Sequence, residues 1–241
     1  MNVISYLLAI RHGGSFFGGP TDRTAVRFGA IPYELTHPGD HCELITHTLP
    51  QGTASTVVCQ GQPGVSGTPA PQPATWITVF TSMFLHGGFL HIFGNMLFLA
   101  VFGPNVEDAM TRPRFVVFYL LGGILALAAQ VAAGPNSTDP TLGASGAIAA
   151  VLGGYILLYP RARVLTLIFI IFFFTIVELP AFVLLGVWFL LDGVAGAVNA
   201  VGSEGVAYWA HIGGFVFGLA AIRAFARRRP PRGGRPVGGL A

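Results

Sequence analysis

Leu142-Gly143-Ala144-Ser145-Gly146 opens an uncharged run, Ala147-Ile-Ala-Ala150-Val-Leu-Gly153-Gly154-Tyr-Ile-Leu-Leu-Tyr159, and its reading decides the fold. Eighteen apolar or small residues (142–159) suffice to cross a bilayer. Glycine and alanine keep the surface of such a helix narrow enough for a neighbour's backbone to approach. A serine at the head of this run gains meaning from two other stretches. One is His86-Gly-Gly-Phe-Leu-His91-Ile-Phe-Gly-Asn95; the other is Ala210-His211-Ile-Gly-Gly214-Phe-Val-Phe-Gly218. Serine, histidine and asparagine each stand near the start of a different hydrophobic segment.

Composition agrees with a multi-span membrane protein. Of 241 residues, 53% are hydrophobic and 10% charged, with a mean hydropathy of +0.66. Soluble domains carry about 25% charged residues. All 13 basic residues are Arg, and Arg223, Arg227, Arg228, Arg229, Arg232 and Arg235 crowd the C-terminal end. A juxtamembrane basic tail of this kind reads as a topology anchor on the inner side rather than a nucleic-acid site.

The chain divides by composition. Residues 1–10 are mostly apolar, and ten helical residues span about 15 Å, half a bilayer core. The first transmembrane helix is therefore expected to be truncated, or the natural start to lie upstream of Met1. Residues 11–75 are rich in Gly, Pro, Thr and Ser and form a long extramembrane loop, closed by Pro71 and Pro73. Residues 76–226 hold the remaining apolar runs: Trp76 to Phe102, Phe115–Ala133, Leu142–Tyr159, Ala181–Val201 and Val206–Ala226. Residues 227–241 form a basic cytoplasmic tail, expected to be disordered.

Val164–Val177 is apolar but, at fourteen residues, short for a crossing. Arg112 and Arg114 follow the second span, Arg161 and Arg163 the fourth, and the Arg-rich tail the sixth. The intervening loops, Gly134–Thr141 and Gly202–Gly205, carry Asp139 and Glu204 without Arg. This alternation survives only if Val164–Val177 does not cross, so it reads as an interfacial or re-entrant segment on the inner side. Cys42 and Cys59 share the first loop. A disulfide suits an oxidising compartment; a metal site with His41 and His47 is the alternative, although the spacing fits no zinc pattern.

With that topology, Ser145, His211 and the pair His91 and Asn95 lie at one depth in the outer part of the membrane. Ionisable groups at such depth are costly and functional. Neutral His211 can accept the Ser145 hydroxyl proton and return it to a leaving amine. Gly146, Ala149, Ala150, Gly153 and Gly154, facing Gly214 and Gly218, supply the close helix contact this needs. Attack on an amide creates an oxyanion. The Ser145 N–H at a helix start, with His91 and Asn95 four residues apart on one helix face, can donate to it. His86 is expected to point away from His91 and steady the preceding loop. Asp192 reads as a buried hydrogen-bonding partner.

These three motifs in this order, with Phe102-Gly103-Pro-Asn-Val-Glu107-Asp108, resemble the rhomboid intramembrane serine proteases over roughly 76–226. The resemblance implies an all-α bundle of six transmembrane helices whose long first extracytoplasmic loop is half-embedded near the outer surface. It also implies a Ser145–His211 dyad without an acidic third member and without metal or cofactor. The oxyanion hole would be made by Ser145, His91 and Asn95, with Gly143, Gly146, Gly214, Gly218 and Glu107 near the site. The substrates implied are transmembrane segments of other proteins, cut near small residues where the helix unwinds easily. Some members carry an aromatic residue one turn after the nucleophile, stacking on the base. Here that position is Ala149, so another group must orient His211. The first loop often carries Trp-Arg, whereas Ile77 follows Trp76 here.

Two other classes compete: an inactive rhomboid-like factor that binds membrane proteins, and a small channel or transporter using histidines as a proton relay. Retention of Ser145 and His211 speaks against the first, and the lack of an internal repeat against the second. The absence of Lys and the short tails suit a multi-pass protein of a bacterial plasma membrane, its active site opening to the extracytoplasmic side.

Overall fold

A computed structural model describes residues 1–241 except 12, 50–51, 66, 68–70, 171–172, 199–206 and 228–241. The loop at 202–205 and the tail from 228 onwards therefore lie outside the described residues, as does the side chain of Asp192.

Helices dominate, and the apolar runs become most of them. Helix α1 (Asn2–Ile10) is followed by two short helices, α2 (Asp22–Phe28) and α3 (Pro32–Thr36). The first hairpin, β1 (Cys42–Leu49) and β2 (Gly52–Cys59), leads to α4 (Thr75–Thr81) and a 3₁₀ turn, Ser82–Phe84. The larger helices are α5 (Phe89–Asp108), α6 (Arg112–Ala133), α7 (Ser145–Leu158), α8 (Ala181–Val198) and α9 (Tyr208–Phe225), with a second hairpin, β3 (Arg163–Ile170) and β4 (Phe173–Pro180), between α7 and α8. Among the described residues, two helices, α5 and α6, are long and apolar enough to cross a membrane. Ser145–Leu158 and Ala181–Leu191 are shorter apolar helical stretches.

The all-α expectation requires correction, because the chain carries two antiparallel hairpins. Val164–Val177 lies within the second, with Leu167 opposite Ile176 and Thr166 opposite Val177. A short apolar run rich in Ile, Phe, Val and Thr has strand propensity, and its length cannot support a spanning helix. An ion pair between Arg163 and Glu178 (3.1 Å) stands near its base. The hairpin is fixed at the C-terminal end of α7, where Ala181 N–H donates to Ala162 and Phe182 N–H to Pro160. The first hairpin is closed by a Cys42–Cys59 disulfide, so the metal alternative for these cysteines is excluded. The buried Glu34 carboxylate accepts the Cys42 N–H at 2.6 Å. Burial raises the Glu34 pKa, a rise opposed by that hydrogen bond and by His41.

The core lies where α7 meets its neighbours. Phe118 of α6, Phe102 of α5, and Ile222 of α9 are almost fully buried around Ala150, Val151 and Tyr155 of α7. Helix α9 packs most closely on α7 and α6. A Cβ added at Gly214 would fall on the carbonyl of Gly146, and one at Gly218 on the carbonyl of Ala150. Those contacts advance by one turn on both helices, so α7 and α9 run in the same direction. Arg114 donates to the Phe225 carbonyl at 3.0 Å, and Arg227 N–H to Ala109 at 2.9 Å, tying the far end of α9 to the α5–α6 turn.

The candidate active site

Ser145 is the first residue of α7, where backbone N–H groups have no acceptor within the helix. Gly143, two residues earlier, has φ +116°, a conformation only glycine adopts without strain. Its N–H donates to the Ser82 carbonyl at 2.9 Å. Thr141 pairs with Ala30 through two backbone hydrogen bonds (2.8 and 3.2 Å), so the first loop braces the segment that presents the serine.

His211 lies in the first turn of α9. Its Nε2 is 2.8 Å from Ser145 Oγ, a hydrogen bond whose direction depends on the imidazole tautomer. The parallel seam explains the distance. Gly146 and Gly214, close in sequence to Ser145 and His211 respectively, let the backbones touch, which leaves the two side chains one hydrogen bond apart. The start of α9 is held by α6, where Gln130 Oε1 accepts the Ala210 N–H at 3.2 Å. Nothing in the sequence pattern singled out Gln130.

His91 comes from α5 and reaches the same place from the other side of Gly143. A Cβ built on Gly143 would stand 2.8 Å from His91 Nε2 and 3.7 Å from Ser145 Oγ. The absent side chain thus leaves a space flanked by an imidazole nitrogen and the serine oxygen. His91 Nδ1 accepts the Gly87 N–H at 3.4 Å. Asn95 is buried and its Nδ2 donates to the His91 carbonyl at 2.9 Å, within its own helix. A small cavity of about 20 Å³, lined by Ser82, Met83, Gly143, Ser145, Gly146 and Ala210 among others, lies at the serine.

The expectation that His86 points away from His91 is corrected. Residue 86 lies in the loop before α5, so the five-residue spacing does not set its direction. It is fully buried with its ring edge-to-face against His91 at 5.2 Å. Burial, and next the neighbouring His91, push its pKa down to about 4, so it is neutral at pH 7. Glu107 lies at the far end of α5 and pairs with Arg112 at 3.3 Å, remote in the chain from this cluster.

One neighbour of the imidazole had no sequence signal. Trp188 of α8 places its ring 5.8 Å from that of His211, tilted by 39°. Phe215, one turn after His211, is 6.4 Å from Trp188 and stacks on Phe189 at 4.4 Å. Ala149, one turn after Ser145, is buried among the helix contacts.

Comparison with known proteins agrees with the motifs. A Rhomboid domain model matches residues 73–228. The chain is 33% identical over 97 residues to "Rhomboid protein 1, mitochondrial" of Saccharomyces cerevisiae, covering 39% of this chain and 28% of that protein. It is 32% identical over 85 residues to "Putative rhomboid protease YdcA" of Bacillus subtilis, covering 34% and 40% respectively. Identity to the rat "Presenilin-associated rhomboid-like protein, mitochondrial" is 29% over 149 residues, covering 57% and 35%. The matched region thus spans 28–40% of the length of these relatives.

Proposed function

The chain belongs to the rhomboid family, and from that premise we propose that it is an intramembrane serine endopeptidase. The observation that carries this reading is the 2.8 Å contact between Ser145 Oγ and His211 Nε2 at the mouth of the glycine seam.

Ser145 Oγ attacks the carbonyl carbon of a substrate peptide bond while its proton passes to neutral His211 Nε2. The negative charge that develops on the carbonyl oxygen sits in the space beside Gly143. The Ser145 N–H and His91 Nε2 border that space, with Asn95 one turn further along α5. His91 donates there from Nε2, consistent with Nδ1 accepting the Gly87 N–H. The C–N bond breaks as His211 gives its proton to the amine. Water then attacks the acyl-serine ester, His211 again taking and returning the proton.

The protein's helices form a six-span core set in a plasma membrane, with the site opening to the extracytoplasmic side. The arginines at the start of α6, at the start of β3 and at the end of α9 face inward. Substrates are transmembrane segments of other proteins that unwind near small residues.

Ser145→Ala and His211→Ala each abolish cleavage of a single-span model substrate in proteoliposomes, with unchanged thermal midpoints. Asn95→Ala retains cleavage at a rate lower by about 10²-fold, as for loss of one oxyanion donor. A fluorophosphonate labels the native protein and not Ser145→Ala. Full-rate cleavage by Ser145→Ala would end this account, and absence of both labelling and cleavage in the native protein would favour a binding factor.

A further inference from the structure

At the end of α9 farthest from His211, the start of α6 and the last turn of α9 leave a cleft of about 370 Å³ between them, a size in the range of small-ligand sites. Its walls are Pro113, Arg114 and Val117 of α6 with Ala224 and Phe225 of α9, and only Arg114 is charged. Arg114 is half-buried and donates one guanidinium N–H to the Phe225 carbonyl at 3.0 Å, which caps α9. A guanidinium carries five N–H donors in a planar fork, so the cap leaves the rest without a partner among the described residues. Elsewhere on this side Arg112 pairs with Glu107 and Arg163 with Glu178, but no described carboxylate pairs with Arg114, Arg223 or Arg227. A cation held against apolar walls without a counter-ion is costly at the edge of a membrane. The adjoining segment cannot supply the anion, because residues 228–241 add four arginines and no acidic side chain. A second copy would bring the same arginines and be repelled.

The walls continue in a form that suits a hydrocarbon chain. Arg114 meets Phe225, a Cβ on Gly122 would meet Phe217, and one on Gly213 would meet Ala129, so α6 and α9 are antiparallel. Val117 and Leu121 on α6, and Ala224 and Ala220 on α9, are exposed pairs one turn apart that lead in the same direction away from the guanidinium. The two alanines leave a furrow beside the bulkier α6 side chains.

We propose that this cleft binds one anionic phospholipid, its phosphodiester on Arg114 and an acyl chain along Val117 and Ala224 towards Leu121 and Ala220. The guanidinium fork matches two phosphate oxygens at once. Arg223 and Arg227, close by in the chain, strengthen the attraction for negative headgroups. The leaflet, the inner one, follows from the inward reading of the arginines, whereas the site itself does not depend on Ser145 or His211.

Native mass spectrometry of the full chain, released from detergent micelles after titration with phosphatidylglycerol or phosphatidylcholine, counts the lipid retained. The native protein keeps one phosphatidylglycerol and holds phosphatidylcholine roughly tenfold more weakly, as for one charge-assisted contact. Arg114→Gln lowers the affinity for phosphatidylglycerol by a similar factor. Ala224→Trp, which fills the furrow without altering charge, also lowers it. Replacing Arg228, Arg229, Arg232 and Arg235 together by Gln leaves this one lipid bound. Equal retention of the two lipids, native affinity in either Arg114→Gln or Ala224→Trp, or loss of the lipid in the tail variant each overturn the proposal. Displacement of the lipid by an equal concentration of glycerol phosphate would reveal a site for free phosphate and overturn it as well. Should Arg114→Gln fail to fold once its cap on α9 is lost, Ala224→Trp decides by itself.

Discussion

Helix α9 meets α7 and α8 through opposite kinds of surface. Towards α7 the contact is backbone on backbone: a Cβ at Gly214, Gly218 or Gly153 would coincide with a carbonyl group of the facing helix. Towards α8 the contact is ring on ring, Phe189 on Phe215 and Trp188 beside both Phe215 and His211. Gly186 and Gly193 of α8 face nothing within 4 Å. Leu190 and Leu191 are 64% exposed and Val187 is 51% exposed, an outer face suited to lipid. A backbone seam has one register, because carbonyls cannot yield. A ring contact loses dispersion energy gradually as it slides. The molecule therefore fixes the Ser145–His211 distance on its rigid side and leaves the Trp188–His211 ring contact on its adjustable side.

The strongest way to break this contrast is Gly214→Leu. Its Cβ meets the Gly146 carbonyl, next to Ser145, so α9 must move away from α7 or the fold must fail. A cost of roughly 3 kcal/mol is expected for overpacking of this kind. Thermal unfolding in detergent should show the loss, and fluorophosphonate labelling of Ser145 should disappear even in the fraction that remains folded. A Gly214→Leu variant with native midpoint and labelling would mean that the seam is looser than its contacts indicate.

Much of the rigid side is legible in the sequence. Small residues four apart at Gly146, Ala150 and Gly154, and at Gly214 and Gly218, encode close approach directly, since nothing but the backbone remains to touch. Ser145 and His211 stand beside those glycines, so the seam and the pair come from one pattern. The adjustable side left no such trace. Trp188 and Phe189 are two apolar residues in a run of apolar residues, and which of them turns to His211 depends on how α8 rotates about its axis. His86 escapes for a related reason: it lies in the loop before α5, so its spacing from His91 does not set its direction. The β3–β4 hairpin shows the same limit, because a short apolar run has no period that separates strand from helix. For the first hairpin, sequence left disulfide and metal open, and the pairing of Cys42 with Cys59 across β1 and β2 resolves it.

A middle-sized effect is expected at Phe189. Truncation to Ala removes the stacked contact at 4.4 Å and should cost about 1 kcal/mol, the magnitude of one aromatic pair. Because the loss falls on the α8 side, hydrogen exchange should speed up in α8 while α7 and α9 keep native protection. Uniform acceleration across all three helices would show that the two surfaces of α9 unfold together and that the contrast has no energetic content.

The smallest effect should come from Gly186→Ala, and its sign is the informative part. Glycine inside a helix is unfavourable relative to alanine by roughly 0.5–1 kcal/mol, because the unfolded chain is freer. At Gly214 or Gly218 that gain is overwhelmed by collision with a carbonyl. At Gly186 the added methyl meets no atom within 4 Å, so the intrinsic preference is expressed and the thermal midpoint should rise slightly. Cleavage should be unchanged if α8 needs only its ring contacts in order to seat. A slower enzyme of higher stability would instead show that backbone freedom in the middle of α8 is used during turnover. That would move this glycine from a tolerated weakness to a hinge, and would sharpen the division between the seam that must hold still and the helix that must yield.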